Sequence, residues 1–230
     1  MVDVLSFCVD KHGWVADVGA NVGLITLPLA RRIAHRGGGV VAFEPIERNA
    51  ARLRASAALN EVRVEMHVLA LGEEDDDVTI WLDRQLGAAT GNARIGQRQR
   101  PDEEPVTCAV RRLDDLRIRP VDALKVDVEG TEVAFLRGAQ RYLATHRPVI
   151  LGEFNSELMP LQNTDFTDVP PLLPDGYRIA AFVAQGVVEV AAKKGLGDVL
   201  LVPEERWPAV IERVNSASDV AFGQEGPGTD

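Results

Sequence analysis

Residues Asp17-Val18-Gly19-Ala20-Asn21-Val22-Gly23 constrain the fold of this chain more than any other stretch, because they join an apolar run over 14–18 to an Ala- and Leu-rich helical pattern that begins near Leu24. An acid closing a strand, then glycines ahead of a helix, is the nucleotide-side loop of an α/β fold. Without Cβ atoms, the backbone N–H groups of such a loop can come close to a ligand.

Two glycine-loop patterns compete for that ligand. The dinucleotide fingerprint G-x-G-x-x-G needs glycines where this chain has Asn21 and Leu24, so a pyrophosphate fits poorly. The looser G-x-N-x-G is the pattern of S-adenosylmethionine (AdoMet) methyltransferases. AdoMet has no phosphate; it carries an amino acid, a sulfonium and a ribose, which suits a loop of amides with an acid beside the ammonium. Asp17, Gly19, Asn21 and Gly23 are the cofactor loop on this reading. The run 40–44 is a short strand ending in Glu44, about 21 residues past the loop, where Rossmann-like folds place an acid on the ribose hydroxyls. Pro45 removes an N–H and stops the strand there. The plainer readings are a tight turn that holds no ligand and a surface glutamate at a strand end.

The rest of the chain is consistent with one α/β domain over 1–215. Strand and helix patterns alternate as strand 14–18, helix 24–36, strand 40–44, helix 47–60 and strand 62–69, which implies a parallel sheet. Runs 78–82 and 106–110 read as extra strands, and 83–105 between them as a substrate-facing loop. The acidic run 73–77 reads as a solvated turn. Strands 123–128 and 149–154 flank a helix over 131–144, and strands 177–183, 187–190 and 198–202 are expected to form an antiparallel meander at the sheet edge. Residues 216–230 are small and polar, the composition of a frayed tail.

A formal charge of −10 disfavours a nucleic-acid backbone as partner, and Arg94, Arg98, Arg100, Arg111 and Arg112 form only a local cluster. Cys8 and Cys108 are too few for a disulfide framework or a zinc site, which predicts a reducing, cytoplasmic setting, and no stretch approaches the length of a membrane span. His12 and His146 lie near strand starts, on the far edge from the loop, and are poor bases.

With these pieces in order the chain resembles the FkbM family of AdoMet-dependent methyltransferases. The resemblance is carried by DVGANVG at 17–23, AFEP at 42–45, Ala70-Leu71-Gly72, Leu113-Asp114-Asp115-Leu116, and Leu124-Lys125-Val126-Asp127-Val128-Glu129-Gly130-Thr131-Glu132. Leu136-Arg137-Gly138-Ala139 and Pro148-Val149-Ile150-Leu151-Gly152-Glu153 extend it. It implies a Rossmann-like, doubly wound seven-strand sheet, mostly parallel with an antiparallel edge. It also implies O-methylation of a hydroxyl on a sugar or secondary metabolite, with AdoMet as donor and S-adenosylhomocysteine (SAH) as product. Pro45, Ala70 and Leu71 join the cofactor set, and the Asp127 position lies beside the methionine moiety.

Asp127 and Glu129 share one side if the strand persists through Glu129, and their mutual repulsion brings one carboxyl nearer the useful range of a base. Glu129 is the expected base, Asp127 contacts the cofactor first and takes part in the chemistry second, and Glu153, closing its strand, either orients the acceptor or is a solvated strand-end carboxylate. Two other readings of this cluster stay open: Mg²⁺ held by Asp127, Glu129 and Glu153, although no decisive ligand spacing is present, and acids of a helix first turn, which accounts for Glu132 and competes for Glu129. Partners are then a small-molecule or glycosidic acceptor, with neither nucleic acid nor membrane, and oligomers are compatible with the sequence. The rival functions are a catalytically silent AdoMet-binding subunit and a nicotinamide-dependent oxidoreductase.

Overall fold

The computed structural model describes residues 1–83, 94–95, 103–183, 186–192 and 197–222. A short helix α1 (Val2–Phe7) leads into β1 (Trp14–Val18), every residue of which is buried, as a strand covered by helices on both faces requires. Next come α2 (Thr26–Ala34), β2 (Gly39–Phe43), α3 (Glu47–Leu59) and β3 (Val64–His67). The short β4 (Ala70–Leu71), then β5 (Asp76–Asp83), β6 (Arg94–Ile95) and β7 (Glu103–Arg111), leave the main layer before β8 (Ala123–Val126) returns to its centre. Two short helices, α4 (Glu132–Arg137) and α5 (Gln140–His146), precede β9 (Val149–Glu153); β10 (Tyr177–Val183), β11 (Gly186–Glu189), β12 (Asp198–Pro203) and α6 (Trp207–Phe222) complete the chain.

The main sheet has eight strands in the order β11-β10-β12-β9-β8-β1-β2-β3. The run from β9 to β3 is parallel throughout. Connections leave β1 toward β2 on one side and return to β8 on the other, so the crevice for a ligand opens at the carboxyl ends of β1, β2 and β8. This is the doubly wound α/β class implied by the resemblance, with eight strands where the resemblance implies seven; β11, at the run read as strand 187–190, pairs with β10 at the edge.

The final strands form the expected antiparallel edge, but in the order β11-β10-β12, not as a meander. β12 inserts antiparallel between β9 and β10, and Val199, Leu200, Leu201 and Val202 are all fully buried. A continuous apolar run is what a strand covered on both faces needs. Among the described residues no helix is long and apolar enough to cross a membrane.

A second, four-stranded sheet runs β4-β7-β5-β6. The expected strands at 78–82 and 106–110 are the core of a longer hairpin, paired from Asp76 with Val110 to Asp83 with Glu103. Of the segment expected as a substrate-facing loop, residues 94–95 add a short strand beside Ile80 and Trp81, whereas 84–93 and 96–102 lie outside the described residues. The acidic run is partnered as well as solvated: Glu73 pairs with Arg137 at 3.1 Å, and Asp75 Oδ1 accepts from the Arg112 amide at 3.1 Å.

The helix expected over 131–144 is broken at Gly138, where a Cβ would lie 1.8 Å from the Gly72 carbonyl oxygen. The Gly138 carbonyl accepts from the Asp114 amide at 3.0 Å, and the Asp114 carboxylate accepts from the amides of Arg141 and Tyr142 at the start of α5. Three of the motifs behind the resemblance thus meet at one structural joint. Gly138→Ala should destabilise the chain by about 1–3 kcal/mol through overpacking, seen as a drop in Tm of roughly 2–4 °C per kcal/mol; an unchanged Tm would show that the joint yields. α6 continues through Phe222, past the start of the expected tail, and 223–230 lie outside the described residues.

Candidate functional site

A cavity of about 360 Å³ opens at the carboxyl ends of β1, β2 and β8, a size suited to a small molecule. Phe43, Ile46, Leu69, Leu71 and Ile80 supply apolar wall, and Glu44, Asn49, Asp127 and Glu129 supply polar groups. Of the residues singled out in the sequence, Gly19, Asn21, Glu44, Pro45, Ala70, Leu71, Asp127 and Glu129 line it. Asp17, Gly23 and Glu153 do not.

Asp17 is held away from the cavity by register. It lies directly opposite Lys125 on the neighbouring strand, and its carboxylate is fully buried. Oδ1 lies 3.1 Å from Lys125 Nζ, and Oδ2 accepts from the Thr26 hydroxyl at 2.6 Å. The expected ligand for the cofactor's ammonium is therefore an internal brace. Lys125 Nζ also donates to the Gly19 carbonyl at 2.9 Å and lies 3.3 Å from Asp127 Oδ2, which engages all three of its donors. Burial works against the Lys125 ammonium, but the carboxylates of Asp17 and Asp127 outweigh it and raise the pKa.

The glycine loop is close-packed and self-satisfied, which corrects the expectation of bare amides. Gly19 and Ala20 N–H donate to the Phe43 carbonyl, Asn21 N–H to Glu44 Oε2, Val22 N–H to Asn21 Oδ1, and Gly23 N–H to the Ala20 carbonyl. Gly19 has φ +84°, and a Cβ there would lie 2.0 Å from the Asp127 carbonyl oxygen, so the loop needs glycine to pass the turn after β8. Gly23 packs against Leu53 of α3, where a Cβ would come within 2.4 Å.

Glu44 sits where the spacing puts it, at the end of β2. Its Oε1 accepts from Ile46 N–H at 3.0 Å and Asn49 Nδ2 at 3.2 Å, and Oε2 from Asn21 N–H at 2.9 Å. Burial raises its pKa against these donors. Oε2 keeps a lone pair for one further donor. Asn49 Oδ1 is buried with no hydrogen-bond partner among the described residues.

The carboxyl rim is assembled from several strand ends. β8 stops at Val126, so the extended geometry expected to carry Asp127 and Glu129 to one side ends too early; instead Glu129 adopts φ +54° and Gly130 φ +98°. Both acids reach the cavity by this turn. Glu129 stays exposed at the mouth, where partial burial, then the charges of Asp127, Glu153 and Glu132, push its carboxyl up to about 7 against the pull of Lys125. Glu153 pairs in register with Asp198, and its pKa is raised by burial and by the charges of Asp127 and Asp198. Among the described residues no three His, Cys, Asp or Glu side chains are arranged to hold a metal ion.

Sequence reasoning missed Lys125, Asn49 and Ile80. A lone cation inside the apolar run Ala-Leu-Lys-Val was a readable sign of the first. Ile80 comes from the second sheet and had none.

The chain matches the family model described as "Methyltransferase FkbM domain" over residues 17–179. It is 29% identical to "Methyltransferase 1" of Beauveria bassiana, over 59% of this chain and 61% of that protein. The crystal structure of a methyltransferase FkbM from Methylobacillus flagellatus superposes with a TM-score of 0.50 at 19% identity, covering 83% of this chain and 43% of that one. A precorrin-6Y C5,15-methyltransferase from Geobacter metallireducens gives 0.46 at 13% identity, over 87% of this chain and 82% of that one. The chain thus spans about three fifths of the curated relative and less than half of the FkbM structure. With well over half of its length matched by the family model, on a sheet of the corresponding class, the chain belongs to the FkbM methyltransferase domain family.

Proposed function

We propose that this chain is an AdoMet-dependent methyltransferase acting on a hydroxyl of a small-molecule or glycosidic acceptor. AdoMet fits the residues present: a flat ring would lie between the apolar walls at Ile46, Leu71 and Ile80, the ribose diol would meet the spare acceptors of Glu44 and Asn49, and Asp127 would face the ammonium. A pyrophosphate finds no such welcome, because the loop amides are already taken and Asn21 stands in the dinucleotide glycine position.

When bound, AdoMet supplies an electrophilic methyl group on a sulfonium. The chain must orient the acceptor oxygen in line with it, exclude water and remove a proton. Glu129 is the proton acceptor on this reading: its carboxylate would take the hydroxyl proton as the acceptor oxygen gains the methyl group and the S–CH3 bond breaks, with SAH as the leaving group. The observation that carries the assignment is this carboxyl at the cavity, raised to about 7. A base of that strength is about half ionised at neutral pH and basic enough to assist an alcohol.

Calorimetry with SAH and with NAD tests the cofactor. SAH should bind and NAD should not, and Glu44→Ala should weaken SAH binding by about tenfold or more, the effect of losing a hydrogen bond to a charged group. Binding of NAD alone, or unchanged SAH affinity in the variant, would overturn the assignment. Transfer of isotopically labelled methyl to a panel of sugar and metabolite alcohols tests the reaction; a chain that binds SAH but labels amines or carbon acids in preference to alcohols would refute hydroxyl specificity.

A further inference from the structure

Glu132 is a fully buried acid that the proposed reaction does not use. A carboxylate in the first turn of a helix gains from the helix dipole while solvated, so that effect does not call for burial. The hydrogen bonds do. Glu132 Oε1 accepts from Val128 N–H at 3.3 Å and from Gly130 N–H at 3.0 Å, the two amides that bracket Glu129. Glu132 Oε2 has no hydrogen-bond partner among the described residues.

The bracketed residue is the one that needs holding. Glu129 stands at φ +54°, a region that side chains other than glycine, asparagine and aspartate enter rarely. Gly130 follows at φ +98° and is pressed against the next loop, where a Cβ would lie 2.9 Å from the carbonyl carbon and oxygen of Leu158. Thr131 closes the turn, its hydroxyl donating to the Val128 carbonyl at 2.9 Å. Glu132 clamps the same turn from beneath.

We propose that Glu132 is a positioning residue for Glu129, its carboxyl oxygen fixing the left-handed turn that carries Glu129 to the cavity and its ionised form adding one negative charge to those Glu129 faces. The others facing Glu129 are Asp127 on the turn and Glu153 at the end of β9, with Lys125 of β8 opposing them; Asp198 of β12 faces Asp127 behind that group. The inference rests on the reading of Glu129 as proton acceptor, and the two can fail separately.

The test is a carboxyl NMR titration of the whole chain carrying ¹³C-labelled glutamate, with the Glu129 signal assigned by its loss in Glu129→Gln. In wild type the midpoint should lie near 7. Glu132→Gln, which keeps an acceptor oxygen but not the charge, should lower it by about half a unit or more. In thermal unfolding, Glu132→Ala should cost less in a Glu129→Gly background than in wild type, because glycine takes the left-handed backbone unaided.

An unchanged midpoint in a Glu132→Gln chain with native circular dichroism, or strictly additive unfolding effects, would overturn the inference. If Glu132→Ala does not fold, the Glu132→Gln titration decides. A wild-type midpoint in the ordinary carboxylate range that Glu132→Gln still lowers would remove Glu129 as base and leave the role of Glu132 standing.

Discussion

Replacing Lys125 with methionine should cost about 3–5 kcal/mol of folding stability, because it leaves a buried carboxylate without its counter-charge. The Lys125 side chain is 4% exposed and that of Asp17 0%, so water cannot take over the missing interaction. For a chain of this size the loss corresponds to a fall in Tm of roughly 6–20 °C. The pH dependence follows from the direction of the Lys125 shift. Its folded-state pKa lies above the unfolded value, so the stabilisation is complete below the ordinary lysine range and is lost only as pH rises through the raised folded value. At neutral pH the clamp is intact. Adding Asp17→Asn to Lys125→Met should restore part of the loss by removing the stranded charge, a coupling that a packing defect would not show. A Lys125→Met chain that melts with wild type would contradict the buried pair. The consequence for the site follows from the same atom: without Nζ, the Gly19 carbonyl and Asp127 lose the bond that ties the loop to the turn after β8.

How much of this was legible in the sequence depended on whether the determinant was local. The strands of the parallel half were readable because apolar runs such as Val40-Val41-Ala42-Phe43 answer to burial on both faces, and Glu44 because spacing and Pro45 fix where its strand ends. Asp17 was legible as a strand-end acid but not in its role, since its partner is set by register with β8, a long-range fact. The amides of Gly19, Ala20 and Asn21 were misread for the same reason: their acceptors are the last carbonyl of β2 and the Glu44 carboxylate, which approach only once the sheet has formed. The helix break at Gly138 depends on the carbonyl of Gly72, far away in the chain, and the place of β12 on a sheet order that chain order does not reveal. Glu129 reached the cavity as anticipated but by a left-handed turn, a conformation that no helix or strand propensity encodes.

Glu129→Gln should lower methyl transfer about a hundredfold to ten-thousandfold, the usual contribution of a general base, while SAH affinity stays within about threefold of wild type. Glutamine keeps the shape and loses only the ability to accept a proton, so a defect confined to turnover separates the base from a cofactor contact. With a carboxyl near 7, wild-type turnover should fall about tenfold per pH unit below that value and level off above it, a limb absent from the variant. The effect on folding runs the other way. Because the folded-state pKa lies above the unfolded one, the folded chain binds more protons between the ordinary glutamate range and about 7, and the stabilisation present below that range is lost as pH rises through the folded value. At mildly alkaline pH the ionised Glu129 is therefore a burden, repelled by Asp127, Glu153 and Glu132, and the uncharged glutamine should fold at least as stably as wild type. A variant that is inactive yet no less stable is the signature of a group kept for chemistry. Full turnover in Glu129→Gln with a flat profile through mildly acidic pH would remove it from the reaction.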